Sequence, residues 1–259
     1  TLLDTGSLGI GTNAPDGTLH VFTASAGSVT AHTATDDLIV ENSANAGIAI
    51  LTPNDAVAAM TFGDPEDNDV GKIYYEHATN DLYFRTNGSF GLMQDSSQNV
   101  GIGTTNPDNT LHVFSGSAGS VTAGSTWDDL IVENSDHAGV VILTPNDKVG
   151  AYVFGDEDDA DVAYIAYQHS DNTMYFHTDG GGFTMALDPN QRVGIGTASP
   201  DGPLHIYCGS AGSVSPPAGA DDLVIENSGN VGMTFLTPNT GFQQISFGDP
   251  DDNDNGYLQ

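Results

Sequence analysis

The chain reads as an all-β protein of tandem repeats, and three observations carry that reading. First, Gly9-Ile10-Gly11-Thr12 returns as Gly101-Ile102-Gly103-Thr104 and again as Gly194-Ile195-Gly196-Thr197. Second, other landmarks keep the same spacing. Asp36-Asp37-Leu38-Ile39-Val40-Glu41-Asn42 recurs at 128–134 and 221–227, Leu51-Thr52-Pro53-Asn54 at 143–146 and 236–239, and Phe62-Gly63-Asp64 at 154–156 and 247–249. Laying 9–91 on 101–183 without a gap gives about 50 identical positions, the signature of a modular array. Third, Gly, Asn, Asp, Ser and Thr interrupt the chain every few residues, so no window sustains helical apolar spacing.

A repeat of about 92 residues is longer than one solenoid coil, so each unit is a small domain or a length of shared fibre. Residues 1–8 close a preceding repeat. Repeat one is 9–100, repeat two 101–193, and 194–259 a truncated third. Repeat two carries one extra residue, expected in a loop between Gly180 and Val193. The chain lacks an initiator Met and a signal peptide, which reads as a piece of a longer protein. An array distributes one residue set along its length, whereas catalysis needs a unique constellation. No enzyme and no catalytic or cofactor-binding residue is expected.

Within repeat one the strands are predicted at 18–22, 37–41, 47–51, 57–62, 72–76, 81–85 and 90–93. Ile48 with Ile50, Met60 with Phe62, and Leu82 with Phe84 give the period of two of half-buried strands. Turn formers separate them: Thr52-Pro53-Asn54-Asp55, Thr79-Asn80-Asp81 and Asn87-Gly88. One short helical turn is expected within 25–31. In the Gly-Ile-Gly motif, Gly9 and Gly11 permit close approach or positive φ around Ile10, read as a buried anchor. Pro15 then sets a turn ahead of the Leu19-His20-Val21-Phe22 strand.

Four basic residues stand against 35 acidic ones, for a formal charge of −31. That sign repels phosphate backbones and anionic membrane surfaces, so neither nucleic acid nor membrane is an expected partner. No apolar run reaches the roughly 20 residues of a membrane-spanning helix. The lone cysteine, Cys208, has no counterpart in the other repeats and reads as a passive small side chain. Large apolar side chains are sparse, and a unit this rich in Gly, Ser, Thr and Asn buries little by itself. Intertwining with identical chains would supply burial and cap the many strand edges. An elongated homotrimer meets both needs.

The stretch Val100-Gly101-Ile102-Gly103-Thr104-Thr105-Asn106-Pro107, running into Leu111-His112-Val113, resembles a motif of bacteriophage tail fibres. Leu8–Pro15 with Leu19-His20-Val21, and Val193–Pro200 with Leu204-His205-Ile206, carry the same pattern. The resemblance covers about 14 residues per repeat. It implies a β-rich trimeric shaft in the virion, often upstream of a chaperone domain related to that of endosialidases. It further implies other tail proteins as partners and a host surface glycan or protein as receptor. The same motif occurs in large repetitive secreted proteins, so a repetitive extracellular filament or adhesin of a bacterium or archaeon is the alternative.

The acidic loop after Phe-Gly is the sharpest candidate site. It comprises Asp64, Glu66, Asp67 and Asp69 in repeat one, Asp156, Asp158, Asp159 and Asp161 in repeat two, and Asp249, Asp251, Asp252 and Asp254 in repeat three. Carboxylates at positions 1, 3, 4 and 6 of a short loop offer oxygens to Ca²⁺, although the Gly and distal Glu of an EF-hand are missing. A solvated Asp-rich turn needs the same residues. Asp36, Asp37 and Glu41, with their copies, have the residue types of a glycosidase pair, but they bracket a strand in every repeat and read as structural. His20, His112 and His205 recur without His-x-His spacing, and metal ligation is not expected of them. Tyr74, Tyr75, Tyr83 and Phe84, with Tyr164, Tyr167, Tyr175 and Phe176, are expected to pack strands rather than stack on sugars.

Overall fold

The computed structural model describes residues 1–259 except Thr5, Val121, residues 179–182, Asp249, residues 251–255 and Gln259. Among the described residues there is no helix, only strand, turn and irregular chain. The protein divides into two compact units, Thr1–Val140 and Val141–Gln259.

In the first unit, β1 (Leu8–Ile10), β2 (Leu19–Phe22) and β3 (Leu38–Glu41) form a three-stranded parallel ladder in chain order. Next comes an antiparallel meander of β4 (Val57–Phe62), β5 (Gly71–Glu76), β6 (Asp81–Thr86) and β7 (Ser89–Gln94). Its sheet does not end there. β8 (Val100–Ile102) pairs antiparallel with β7, and β9 (Leu111–Phe114) and β10 (Leu130–Glu133) continue it in parallel, for seven strands in all.

The second unit repeats that sheet. It runs from β11 (Val149–Phe154) and β12 (Ala163–Gln168) through β13 (Thr173–His177) and β14 (Phe183–Leu187) to β15 (Val193–Ile195), β16 (Leu204–Tyr207) and β17 (Leu223–Glu226). An antiparallel pair, β18 (Ile245–Phe247) and β19 (Gly256–Leu258), follows. His177 pairs with Phe183 where Arg85 pairs with Phe90, so the extra residue of repeat two lies in the β13–β14 turn.

Repeat and sheet share a period but not a phase. The sequence boundaries at 100/101 and 193/194 fall inside β8 and β15, so each seven-stranded sheet takes its meander from one repeat and its ladder from the next.

Local chemistry explains the connections. Asn87 and Gly88 both have positive φ, 48° and 71°, which is the twist-matched hairpin turn expected of Asn-Gly. Asn80 and Asn172 take the same region between β5 and β6 and between β12 and β13. In the parallel part the crossovers are irregular chain, 11–18 and 23–37 in the first ladder, where parallel sheets ordinarily use a helix. Residues 25–31 form no helical turn. Ser25 Oγ accepts the Gly27 amide at 3.1 Å, Glu41 takes the Ala26 amide, and Gly27 sits at φ 105°. These local bonds compete with helix geometry and win.

The Gly-Ile-Gly motif also differs from expectation. Gly9, Gly101 and Gly194 are the buried members, while Ile10, Ile102 and Ile195 are half exposed. Gly103 has φ 77°, and a Cβ there would run into the Phe114 carbonyl.

The hydrophobic interior is small. Among the described residues the buried apolar groups are Tyr83, Met93, Ala166, Tyr175 and Ala186, and Pro200 is buried as well. Tyr74 stacks on Tyr83 at 4.7 Å, and burial with a hydrogen bond to Asp81 pushes the Tyr83 phenol up to about 12. The predicted strand at 47–51 is irregular chain in the structure, and among the described residues no strand pairs with it. In total the chain exposes 18307 Å². Two compact globules sharing its mass would together expose about 13,000 Å².

Gly103→Ala is expected to cost about 2 kcal/mol or more, because positive φ and the Phe114 carbonyl act together. Gly139→Ala meets nothing within 4 Å and should stay within about 0.5 kcal/mol of the parent. Urea unfolding midpoints compare the two, and equal shifts would overturn this account of the motif.

Candidate functional site

Three copies of one polar cluster sit in the parallel ladders: Asp16, His20 and Glu41; Asp108, His112 and Glu133; Asp201, His205 and Glu226. The ladder register dictates the arrangement. His20 lies between Gly9 of β1 and Ile39 of β3, and Phe22 lies opposite Glu41. Side chains two apart on a strand share a face, so His20, Phe22 and Glu41 meet on one side. The imidazole sits edge-on to Phe22 at 5.7 Å, with the same geometry at His112–Phe114 and His205–Tyr207.

The rings are almost sealed, with His20, His112 and His205 only 1 %, 2 % and 2 % exposed. Each Nδ1 accepts a backbone amide, from Asp16 at 3.2 Å, Asp108 at 3.3 Å and Asp201 at 3.2 Å. An Nδ1 that accepts leaves the ring proton on Nε2. That nitrogen lies 3.1, 3.2 and 3.3 Å from Oε2 of Glu41, Glu133 and Glu226. The oxygen stands off the Nε2–H axis, so Nε2 is a close electrostatic contact of the carboxylate without an aligned hydrogen bond. The other carboxylate oxygen accepts the amide of Ala26 at 2.7 Å, Ala118 at 2.6 Å and Ala211 at 2.6 Å. Each cluster is therefore a relay. It runs from the turn before the second ladder strand, through the imidazole and the carboxylate, to the long crossover after that strand.

Asp, His and Glu offer one nitrogen and two oxygens within 4.8 Å of one another, a donor set able to hold a divalent cation. As arranged, both ring nitrogens are committed. A cation on Nε2 would displace its proton to Nδ1 and break the contact from the Asp16 amide. The geometry serves the relay first.

A cleft of about 240 Å³ opens beside the first relay, with Asp16, Val29, Ile39 and Glu41 in its wall, and a similar one of about 230 Å³ lies beside the third. Asp36 and Asp37 take their structural part through backbone carbonyls, accepting the amides of Thr18 and Leu19 at 2.9 Å. Glu41 is bound to His20 and separated from them in role.

The acidic loops are exposed and built as Asx turns. Asp64 Oδ1 accepts the amides of Glu66 at 3.0 Å and Asp67 at 2.8 Å, and Asp67 accepts that of Asp69 at 3.1 Å. Asp156, Asp158, Asp159 and Asp161 repeat this, at 2.9, 3.0 and 3.1 Å. The Asp161 amide holds the Asp159 carboxyl below the ordinary carboxylate range, and hydrogen bonding to Asp159 pushes Asp161 up. The third loop's Asp249, Asp251, Asp252 and Asp254 lie outside the described residues, save the exposed Pro250 among them.

The relay was legible in part. His and Glu recur at one spacing in all three repeats, as do Asp and His. Joint recurrence of an Asp, a His and a Glu was the available signal. Their contact requires a parallel crossover that the sequence does not display.

No family model matches the chain, and no curated protein matches it. No helix of the described residues is long and apolar enough to cross a membrane.

Glu133→Ala removes the acceptor of the Ala118 amide and the carboxylate that faces the buried Nε2 of His112. The expected cost is about 2–3 kcal/mol, with faster amide exchange through 115–129. Glu133→Gln keeps the shape and should cost less. Unchanged exchange in Glu133→Ala would show that the relay does not hold the crossover.

Proposed function

We propose that the chain is a shaft segment of a phage tail fibre, a structural and adhesive element working as an elongated homotrimer outside the cell. The observation that carries this reading is the imbalance between exposed and buried surface. The chain holds rigidly paired sheets, yet it leaves some 5,000 Å² more uncovered than two compact globules of its mass would. Obligate interfaces run to 2,000–5,000 Å² in total, roughly the size of that excess. Identical chains around one axis are the economical cover, since every repeat presents the same surface. The Gly-Ile-Gly-Thr motif links the array to tail fibres by resemblance.

The role is structural rather than catalytic in this reading, because each polar constellation recurs in every repeat instead of converging once. Host surface glycan or protein and other tail components are the partners it implies. The expected solution mass is about 80 kDa, three times the 26.8 kDa chain. Sedimentation equilibrium measures it, and a 26.8 kDa monomer would overturn the homotrimer. Antibody against the chain should decorate fibres on phage particles; decoration of cell-surface filaments would transfer the assignment to a repetitive extracellular filament or adhesin.

Calcium belongs to the same reading as a stabiliser of the acidic loops. The adjoining Asp159 and Asp161 carboxyls, each altered by the other's presence, are groups that a cation would relieve. Millimolar Ca²⁺ is expected to raise the melting temperature by a few degrees through preferential binding to the folded state. An unchanged melting temperature together with no heat of binding would remove the ion.

A further inference from the structure

The segments that link each ladder to the next meander run through 46–52, 138–144 and 231–237. We infer that they are the self-association surface, each meeting the same segment of a second copy of this chain. The inference rests on the oligomeric reading above and names the surface that reading leaves open.

Four observations carry it. The segments are unpaired: among the described residues no strand takes up their backbone, and no backbone–backbone hydrogen bond involves residues 46–51. They are apolar and unevenly covered, with Ile48, Ile50 and Leu51 matched by Val140, Ile142 and Leu143, and by Met233, Phe235 and Leu236, in the equivalent places. The cover comes from the chain itself. Ile142 comes within 3.3 Å of the Cβ position of Gly150, and Val231 and Met233 line a cleft over Leu204 and Leu223 of the ladder. The leucines are bare, with Leu51, Leu143 and Leu236 90 %, 87 % and 87 % exposed.

Charge and period identify the occupant. A partner of net charge −31 is repelled nearly everywhere, but residues 42–54, 137–146 and 227–248 contain no Asp or Glu. A like-charged chain can approach there. A partner must also present a matching apolar group three times, at spacings of 92 and then 93 residues, and an identical chain does so automatically. The uncovered excess of about 5,000 Å² exceeds the roughly 800 Å² per partner that a stable interface needs. In a rotational assembly equivalent residues surround the axis, so Leu143 meets Leu143 of its neighbours.

The test begins with the mass of the unmodified chain and of two triple variants. Leu51→Asp with Leu143→Asp and Leu236→Asp should sediment as a monomer. Asn54→Asp with Asn146→Asp and Asn239→Asp adds the same charge at exposed loop positions and should remain an oligomer. A monomeric parent overturns the oligomeric reading itself. An oligomeric parent with an equally oligomeric leucine variant overturns this surface alone.

Should the leucine variant fail to fold, crosslinking decides. In a Cys208→Ser background, Leu143→Cys is expected to give covalent dimers rapidly under mild oxidation, whereas Asp136→Cys is not. Dimers from neither, or equally from both, would exclude a shared axis at this segment.

Discussion

A carboxylate held against a buried imidazole fixes each parallel ladder, and much of the fold depends on it. Glu41 has to reach both Nε2 of His20 and the amide of Ala26, so the long crossover between β2 and β3 is tied down at its start. The Asp16 amide on Nδ1 ties the shorter crossover at its end. Parallel strands joined by irregular chain have no helix to hold them, and this relay takes that place. Its demands reach back into the sequence. The imidazole lies across the ladder from Gly9 and packs on an edge-on ring two residues on, which is Phe22.

Polar fixation and apolar exposure are two sides of one design. A chain with so few buried apolar groups among its described residues cannot rely on a core for its shape. Hydrogen-bonded ladders, Asn-centred hairpin turns and Asx-turn loops define the backbone instead. The apolar side chains that a globular protein would turn inward, Leu51, Leu143 and Leu236 among them, are left on the outside. Local structure is thereby settled by backbone and polar interactions, while much of the apolar surface stays uncovered within the one chain.

How much the sequence revealed follows the range of the interactions. Turns at Asn80 and at Asn87-Gly88 were legible because their chemistry is local, and 57–62 was placed as a strand to the residue. The same alternation at 47–51 was read as a strand, but pairing depends on a neighbour and its own chain supplies none. Ile10 was taken for the buried anchor because it is the large residue of its motif. In the structure the burial falls on Gly9, where a Cβ would run into the Thr12 carbonyl of the turn that follows. The contact of Glu41 with His20 is made by the parallel crossover, which local spacing does not encode.

The offset between repeat and sheet has a consequence for how such a chain can change. Each seven-stranded sheet joins the meander of one repeat to the ladder of the next. A recombination event that removes or adds one whole repeat, wherever its breakpoints fall, again places a meander before a ladder and regenerates the same sheet. The number of modules can therefore drift between generations while the architecture of every module stays constant, and the length of the chain becomes a quantity that selection can adjust in single steps.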